Sequence, residues 1–85
     1  MVKVITVEPT RDYKLIISLS NGKKGIFDVS PYLEKGVFKE LKKKHYFRLV
    51  KVAFGGVMWP DEQDFSPETI DYELKQEEST LTRSI

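Results

Sequence analysis

The chain has 85 residues, no cysteine, 40% hydrophobic and 32% charged residues, and a formal net charge of +1. This length suits one small core, so a single domain is expected, and the lack of cysteine excludes disulfide scaffolds, thiolate metal clusters and cysteine nucleophiles. No apolar run reaches the roughly 18 residues of a membrane-spanning helix, and Met1 leads into a strand pattern without a signal peptide. These properties predict a soluble, cytoplasmic protein without membrane partners.

The small net charge is the difference between two oppositely charged parts of the chain. Residues 1–52 hold twelve Lys and Arg against five Asp and Glu, a net charge of +7, whereas residues 53–85 hold two against eight, a net charge of −6. Such a division favours oppositely charged partners. Nucleic acid, an acidic protein surface or a second copy of the chain would each satisfy it.

Two strand patterns come first in the chain. Residues 2–7 are rich in β-branched side chains and lie before Pro9, which predicts a short strand. Between Tyr13 and Leu19 the odd positions are apolar and most even positions are polar. This period of two is typical of a half-buried strand.

An Asn-Gly step within Ser20-Asn21-Gly22 predicts that this second strand turns back on itself as a hairpin. A three-residue loop sets Leu15 opposite Phe27 and Tyr13 opposite Val29, which gathers the apolar side chains on one face. A two-residue loop would divide them between both faces. We therefore favour the three-residue loop.

Two short helices are predicted next. Ser30 is a suitable cap before a single turn over Pro31–Lys35, because proline fits the first turn of a helix, and Gly36 interrupts it. Residues 37–44 then have an amphipathic spacing. The apolar side chains expected to face inward are Val37, Phe38 and Leu41, and those expected to face outward are Lys39, Lys42 and Lys43.

Apolar runs on either side of Gly55-Gly56 predict a second hairpin. A two-residue loop at the glycines sets Phe54 opposite Val57 and Val52 opposite Trp59. All four side chains then share one apolar face. Trp59 is accordingly expected in the core, and this role is favoured over that of a binding hot spot.

The last predicted element is a short helix that Ser66 caps and Pro67 opens, with Ile70 and Leu74 spaced to face the core. Residues 76–85 have little to pack against and are expected to fray. The fold prediction is therefore one α+β domain over residues 1–75. It has five antiparallel strands, two hairpins plus an N-terminal strand, with short helices packed on the sheet.

Four motifs follow one another in a characteristic order along the chain. They are Phe27-Asp28-Val29-Ser30-Pro31, Gly36-Val37-Phe38, Trp59-Pro60 and Asp64-Phe65-Ser66-Pro67-Glu68-Thr69. In this order the chain resembles the small bacterial family known as domain of unknown function 2442 (DUF2442), over about residues 2–74. The resemblance implies an α+β fold and no established activity. It also implies a two-gene setting that has prompted toxin–antitoxin proposals.

Neither a catalytic site nor a cofactor is expected. His45 is the only histidine, and a general base needs a partner within hydrogen-bond reach, so a structural or solvated role is favoured. Asp61, Glu62 and Asp64 carry oxygen ligands but lack the spacing of a calcium loop, so no metal site is predicted. Asp64 is instead expected to accept backbone amides near the start of the last helix.

A cluster of basic residues is the candidate binding surface, against the plainer interpretation of a solvated helix face. Its members are Lys39, Lys42, Lys43, Lys44 and Arg48. An acidic protein partner is favoured over nucleic acid because Glu40 lies within the cluster and the acidic part of the chain would repel phosphate. The predicted function is a small protein-interaction or regulatory module, more specifically an antitoxin-like member of a two-gene pair. The alternatives are a non-specific nucleic-acid-binding protein and, more distantly, a metal-dependent hydrolase.

Overall fold

A computed structural model describes residues 1–74, in which six strands form two antiparallel sheets. The first sheet contains β1 (Val4–Pro9), β2 (Lys14–Leu19) and β3 (Lys24–Asp28), in that order. The second contains β4 (Lys51–Ala53), β5 (Gly56–Met58) and β6 (Asp64–Phe65), in that order. The α+β prediction is confirmed. The prediction of five strands missed β6, which has only two residues and too little pattern to be seen in the sequence.

Four short helices complete the described residues. They are two 3₁₀ helices at Ser30–Tyr32 and Gly36–Lys42, α1 at Lys44–Phe47, and α2, of which residues 67–74 are described. Within residues 1–74, no helix has the length and apolar character needed to cross a membrane. The predicted frayed tail, residues 76–85, lies outside the described residues, as does the predicted domain end at residue 75.

Apolar side chains from both sheets and from the helices meet in one core. Its buried members are Val4, Leu15, Ile17, Leu19, Phe27, Val29, Leu33, Leu41, Phe47, Val57, Trp59, Phe65, Ile70 and Leu74. Aromatic rings connect the two sheets within it. The Phe65 ring lies 4.9 Å from that of Phe27 and 6.0 Å from that of Trp59, both in edge-to-face geometry.

The predicted register of the first hairpin is confirmed. Leu15 lies opposite Phe27, and the amide of Val29 donates to the carbonyl of Tyr13 over 2.9 Å. Gly22 ends the three-residue loop at a φ of 87°, a conformation that glycine adopts without a steric penalty. The N-terminal strand begins at Val4, two residues later than predicted, and it includes Pro9.

The predicted register of the second hairpin is wrong. Val52 lies opposite Val57, and the loop consists of Phe54 and Gly55, with positive φ values of 51° and 80°. A Cβ on Gly56 would collide with the backbone oxygen of Phe65, so Gly56 is required within β5 and only Gly55 of the two glycines belongs to the turn. Phe54 is consequently 92% exposed and Val52 is 41% exposed, and neither belongs to the core. The predicted burial of Val57 and Trp59 is confirmed.

The single helix predicted over residues 37–44 is also wrong. The chain forms the second 3₁₀ helix, leaves helical geometry at Lys43 with φ of −74° and ψ of 113°, and begins α1 at the next residue. With three residues per turn, Phe38 and Leu41 align on one side. Leu41 is buried and Phe38 packs against the core, as predicted, whereas Val37 lies off that side and is 69% exposed.

Of the two predicted serine caps, one is confirmed. Ser66 accepts a hydrogen bond from the amide of Thr69 over 3.2 Å at the start of α2, and Ile70 and Leu74 are buried. Ser30 does not cap its helix. It lies within the first 3₁₀ helix, and its hydroxyl and its amide both donate to the same Asp28 carboxylate oxygen, over 2.7 Å and 3.0 Å.

A hydrogen bond between Tyr32 and Glu73 joins the first 3₁₀ helix to α2. The phenol donates to the Glu73 carboxylate over 2.7 Å. This hydrogen bond, followed by burial and by the charge of Glu73, raises the pKa of Tyr32 to about 12. Since the ordinary pKa of tyrosine is about 10, the protonated phenol stabilises the folded state fully below about pH 10. That contribution is lost as the pH rises through about 12.

We therefore expect the free energy of unfolding of the natural protein to fall more steeply between about pH 10 and pH 12 than that of Tyr32→Phe. Urea denaturation followed by far-UV circular dichroism measures this difference. Tyr72→Phe is the matched control, because Tyr72 is exposed and lies on α2 next to Glu73 in the sequence. It should keep the natural pH dependence, and equal slopes for all three proteins would contradict the assignment.

Candidate functional site

A groove lies between the β1–β2 loop and α1. It has a volume of about 460 Å³ and is lined by Pro9, Thr10, Arg11, Tyr13, Lys44, Phe47 and Arg48. Three of these residues are exposed cations, namely Arg11, Lys44 and Arg48. We call this the basic groove. Its size is within the usual range of ligand sites, and its lining contains no carboxylate among the described residues.

The β1–β2 loop presents Arg11 from a well-bonded turn. The hydroxyl of Thr10 accepts the amides of Asp12 and Lys14, each over 3.2 Å, and the amide of Thr10 donates to the carbonyl of Lys14 over 2.8 Å. Such bonds between a threonine side chain and nearby amides stabilise tight turns. The loop therefore holds Arg11 between fixed ends.

Tyr13 connects this loop to the helical segment. Its φ of 61° is unusual for a residue other than glycine, and such strain costs about 1 to 3 kcal/mol. Two contacts offset that cost. The phenol donates to the carbonyl of Lys42 over 2.6 Å, and the ring meets Phe47 edge-to-face at 5.5 Å. Tyr13 thus fixes one wall of the basic groove against the other.

Helix α1 places the other two cations on the same side. The amide of Arg48 donates to the carbonyl of Lys44 over 3.2 Å, so these residues are one turn apart. The Lys44 ammonium lies 5.8 Å from the centre of the Tyr13 ring, in a cation–π contact. Phe47, between them in sequence, is buried, and its carbonyl accepts the indole N–H of Trp59 over 2.8 Å. The core therefore anchors the helix that carries Lys44 and Arg48.

The structure divides the predicted basic cluster. Lys44 and Arg48 line the basic groove, whereas Lys39 lies on the second 3₁₀ helix outside its lining. Lys42 and Lys43 form ion pairs with glutamates, at 2.6 Å to Glu34 and 3.0 Å to Glu40. The hydrogen bond and charge of Lys42 lower the pKa of the Glu34 carboxyl. The common helix face predicted for Lys39, Lys42 and Lys43 does not form, because the helix ends before Lys43.

Arg11 is the one cation of the basic groove that the sequence did not predict. The polar stretch after Pro9 indicates a loop, but no local pattern indicates that this loop lies beside α1. The contact depends on the hydrogen bond from Tyr13 to the carbonyl of Lys42, which links positions 29 residues apart.

The other residues considered for chemistry are spread over separate elements. His45 is exposed on α1, and Asp64 lies in β6, three residues before α2 begins and thus near the helix start where the sequence placed it. The amide of Asp61 donates to the hydroxyl of Tyr46 over 2.8 Å, and Glu62 has a φ of 68° in the β5–β6 turn. Residues 1–74 contain no group of three or more His, Asp or Glu placed to hold a metal ion.

Comparison with known proteins identifies one family. The model of the family described as "Protein of unknown function (DUF2442)" matches residues 4–76. No curated protein and no solved structure shows a significant match to the chain.

Proposed function

The chain belongs to the DUF2442 family, and because that description assigns no activity, we propose a function from the basic groove: the protein is an interaction module that binds an acidic segment of a protein partner. The observation that carries this proposal is the meeting of Arg11, Lys44 and Arg48 around one concave surface. In the two-gene setting that the family resemblance implies, the protein would be the partner-binding, antitoxin-like member. We place it in the reducing bacterial cytoplasm, which suits a chain without cysteine.

The chemistry of the lining favours carboxylates flanked by apolar groups. The two guanidinium groups can each bind a carboxylate through two parallel hydrogen bonds, and the lysine adds a third positive charge. The lining also includes the half-buried Pro9 and Tyr13, with the buried Phe47 beneath them as part of the core. An acidic peptide with interspersed apolar residues matches both properties.

A protein partner is favoured over nucleic acid by the number of available cations. Proteins that bind duplex DNA by charge commonly make about 6 to 10 phosphate contacts. Here three cations line the basic groove, and the nearby Lys42 and Lys43 are paired with glutamates. Such a short basic surface suits a peptide segment better than a long phosphate backbone.

Charge reversal in the basic groove tests the proposal. We expect Arg11→Glu combined with Arg48→Glu to weaken binding of a labelled peptide of alternating Glu and Phe by about tenfold or more. The matched control is Lys39→Glu with Lys51→Glu, which changes the net charge equally at exposed residues outside the groove. The control should bind nearly as the natural protein does. Fluorescence anisotropy measures each dissociation constant.

The same titration with random duplex DNA separates the two partner classes. Peptide binding that weakens as the Debye length shortens from about 10 Å at 0.1 M salt to about 3 Å at 1 M, with weak DNA binding, supports a protein partner. Tight DNA binding with a steep dependence on salt, abolished by the groove variant, would instead establish a nucleic-acid-binding protein. Equal peptide binding by the groove and control variants would refute the proposed site.

A further inference from the structure

The outer side of β3 is an open sheet edge among residues 1–74. Strand β3 ends the first sheet, and no other described strand pairs with its far side. The opposite edge is partly occupied, since the amide of Val4 in β1 donates to the carbonyl of Gly55 over 2.8 Å. Leu74 approaches Gly25, which lies opposite the buried Ile17, so this contact is on the core face rather than at the edge. An edge of this kind can pair with another strand.

The hydrogen-bond pattern shows which backbone groups face outward. The carbonyl of Lys23 accepts the amide of Leu19 over 2.8 Å, and the amide of Val29 donates to Tyr13 over 2.9 Å, so the odd-numbered positions are directed towards β2. In an antiparallel sheet the next residues along the strand direct their backbone groups to the other side. The amides and carbonyls of Lys24, Ile26 and Asp28 therefore point away from the sheet.

These three residues are complementary to themselves when the strand is reversed. In an antiparallel pair centred on Ile26, each Lys24 lies opposite Asp28 of the other copy, and the two Ile26 residues lie opposite each other. Every outward-facing residue then exchanges both backbone hydrogen bonds with its opposite residue. The two lysine–aspartate pairs add favourable cross-strand contacts. A shift of the register by one pair would lose both ion pairs.

The exposed face of the sheet supports the same register. Ile26 lies directly opposite Ile16 in β2, and these side chains are 45% and 38% exposed. Pairing through Ile26 would bring the two copies of this isoleucine pair together in a continuous row. Apolar side chains that are individually exposed in one copy would cover each other in the pair, and this contact would remove apolar surface from water.

We propose that two copies of the chain associate through antiparallel pairing of β3, centred on Ile26, to form one continuous sheet. The contact is isologous, because the same strand serves both copies, and it therefore closes as a dimer. It uses no residue of the basic groove, which lies at the β1–β2 loop and α1. The result of the dimer test therefore does not affect the proposed function, and the result of the peptide-binding test does not affect the dimer.

Complementary charge changes test this register. Lys24→Asp places aspartates opposite Asp28, and Asp28→Lys places lysines opposite Lys24. For each variant alone, the dimer dissociation constant should be at least about tenfold higher than that of the natural protein. An equimolar mixture of the two variants restores opposite charges at both positions and should restore the dimer. Lys51→Asp, an equal charge change at an exposed residue of β4, should leave the dimer unchanged.

Sedimentation equilibrium over a range of protein concentrations measures each association, and circular dichroism confirms that each variant is folded. Asp28 also accepts hydrogen bonds from Ser30, so Asp28→Lys could fold poorly. Lys24→Asp alone is sufficient to test the proposal in that case. Weakened dimers for the single variants and recovery in the mixture would support the proposal. A natural protein that stays monomeric up to its solubility limit, or a dimer unaffected by Lys24→Asp, would overturn it.

Discussion

Replacing Trp59 with alanine is expected to lower the free energy of unfolding by about 3 to 5 kcal/mol. The side chain is fully buried and contacts aromatic rings on two sides, Phe47 at 5.7 Å and Phe65 at 6.0 Å between ring centres. Its indole N–H also donates to the carbonyl of Phe47, which belongs to α1. Truncation would leave a cavity between the second sheet and the helix that supports the basic groove. Because the free energy of unfolding of a small domain is only about 5 to 15 kcal/mol, this loss would be a large fraction of it.

Trp59→Phe separates the two contributions. Phenylalanine keeps much of the ring volume but cannot donate to the Phe47 carbonyl, so a smaller loss of about 1 to 3 kcal/mol is expected. Both variants lack the only tryptophan, so its fluorescence cannot report unfolding, and urea denaturation is followed instead by far-UV circular dichroism. A loss below about 1 kcal/mol for Trp59→Ala would show that the core does not depend on this side chain.

The second large effect is expected at Gly56. In Gly56→Ala the new Cβ would collide with the backbone oxygen of Phe65, which cannot move without disturbing the pairing of β5 with β6. Overpacking typically costs about 1 to 3 kcal/mol, and a clash with backbone belongs at the upper end of that range or above it. Faster hydrogen exchange of the β5 and β6 amides should accompany the loss.

Gly25→Ala is the matched control for this substitution. Its Cβ would lie 2.9 Å from the Cδ2 atom of Leu74, the end of a flexible side chain that can change its rotamer. We therefore expect a clearly smaller loss of stability at Gly25 than at Gly56, measured by thermal unfolding under the same conditions. Equal losses would show that the close approach of the Phe65 backbone does not make Gly56 less tolerant of a side chain than Gly25.

The two hairpins show how far the sequence predicts this fold. In the first, an Asn-Gly step and a regular apolar alternation favour the same register, and the structure confirms it. In the second, Gly55 and Gly56 permit more than one turn, and the choice depends on the carbonyl of Phe65. That residue lies in a two-residue strand whose pairing has no local pattern. The exposure of Phe54 follows from this long-range contact.

The candidate site was predictable to a similar degree. The density of basic residues identified Lys44 and Arg48, which line the basic groove. The number of charges alone did not reveal that Lys42 and Lys43 are paired with glutamates, because those pairs depend on where the 3₁₀ helix ends. The position of Arg11 depends on a loop whose neighbour in space is more than 30 residues away in sequence.

The most direct test of the proposed function is an amide NMR titration of the isotopically labelled full chain with the alternating Glu and Phe peptide. We expect chemical-shift changes concentrated at residues 10–13 and 44–48, the two segments that form the basic groove. A peptide with Gln in place of Glu should produce much smaller changes. Shifts located elsewhere on the chain, or equal shifts with the Gln peptide, would contradict the proposal that the basic groove binds an acidic protein segment.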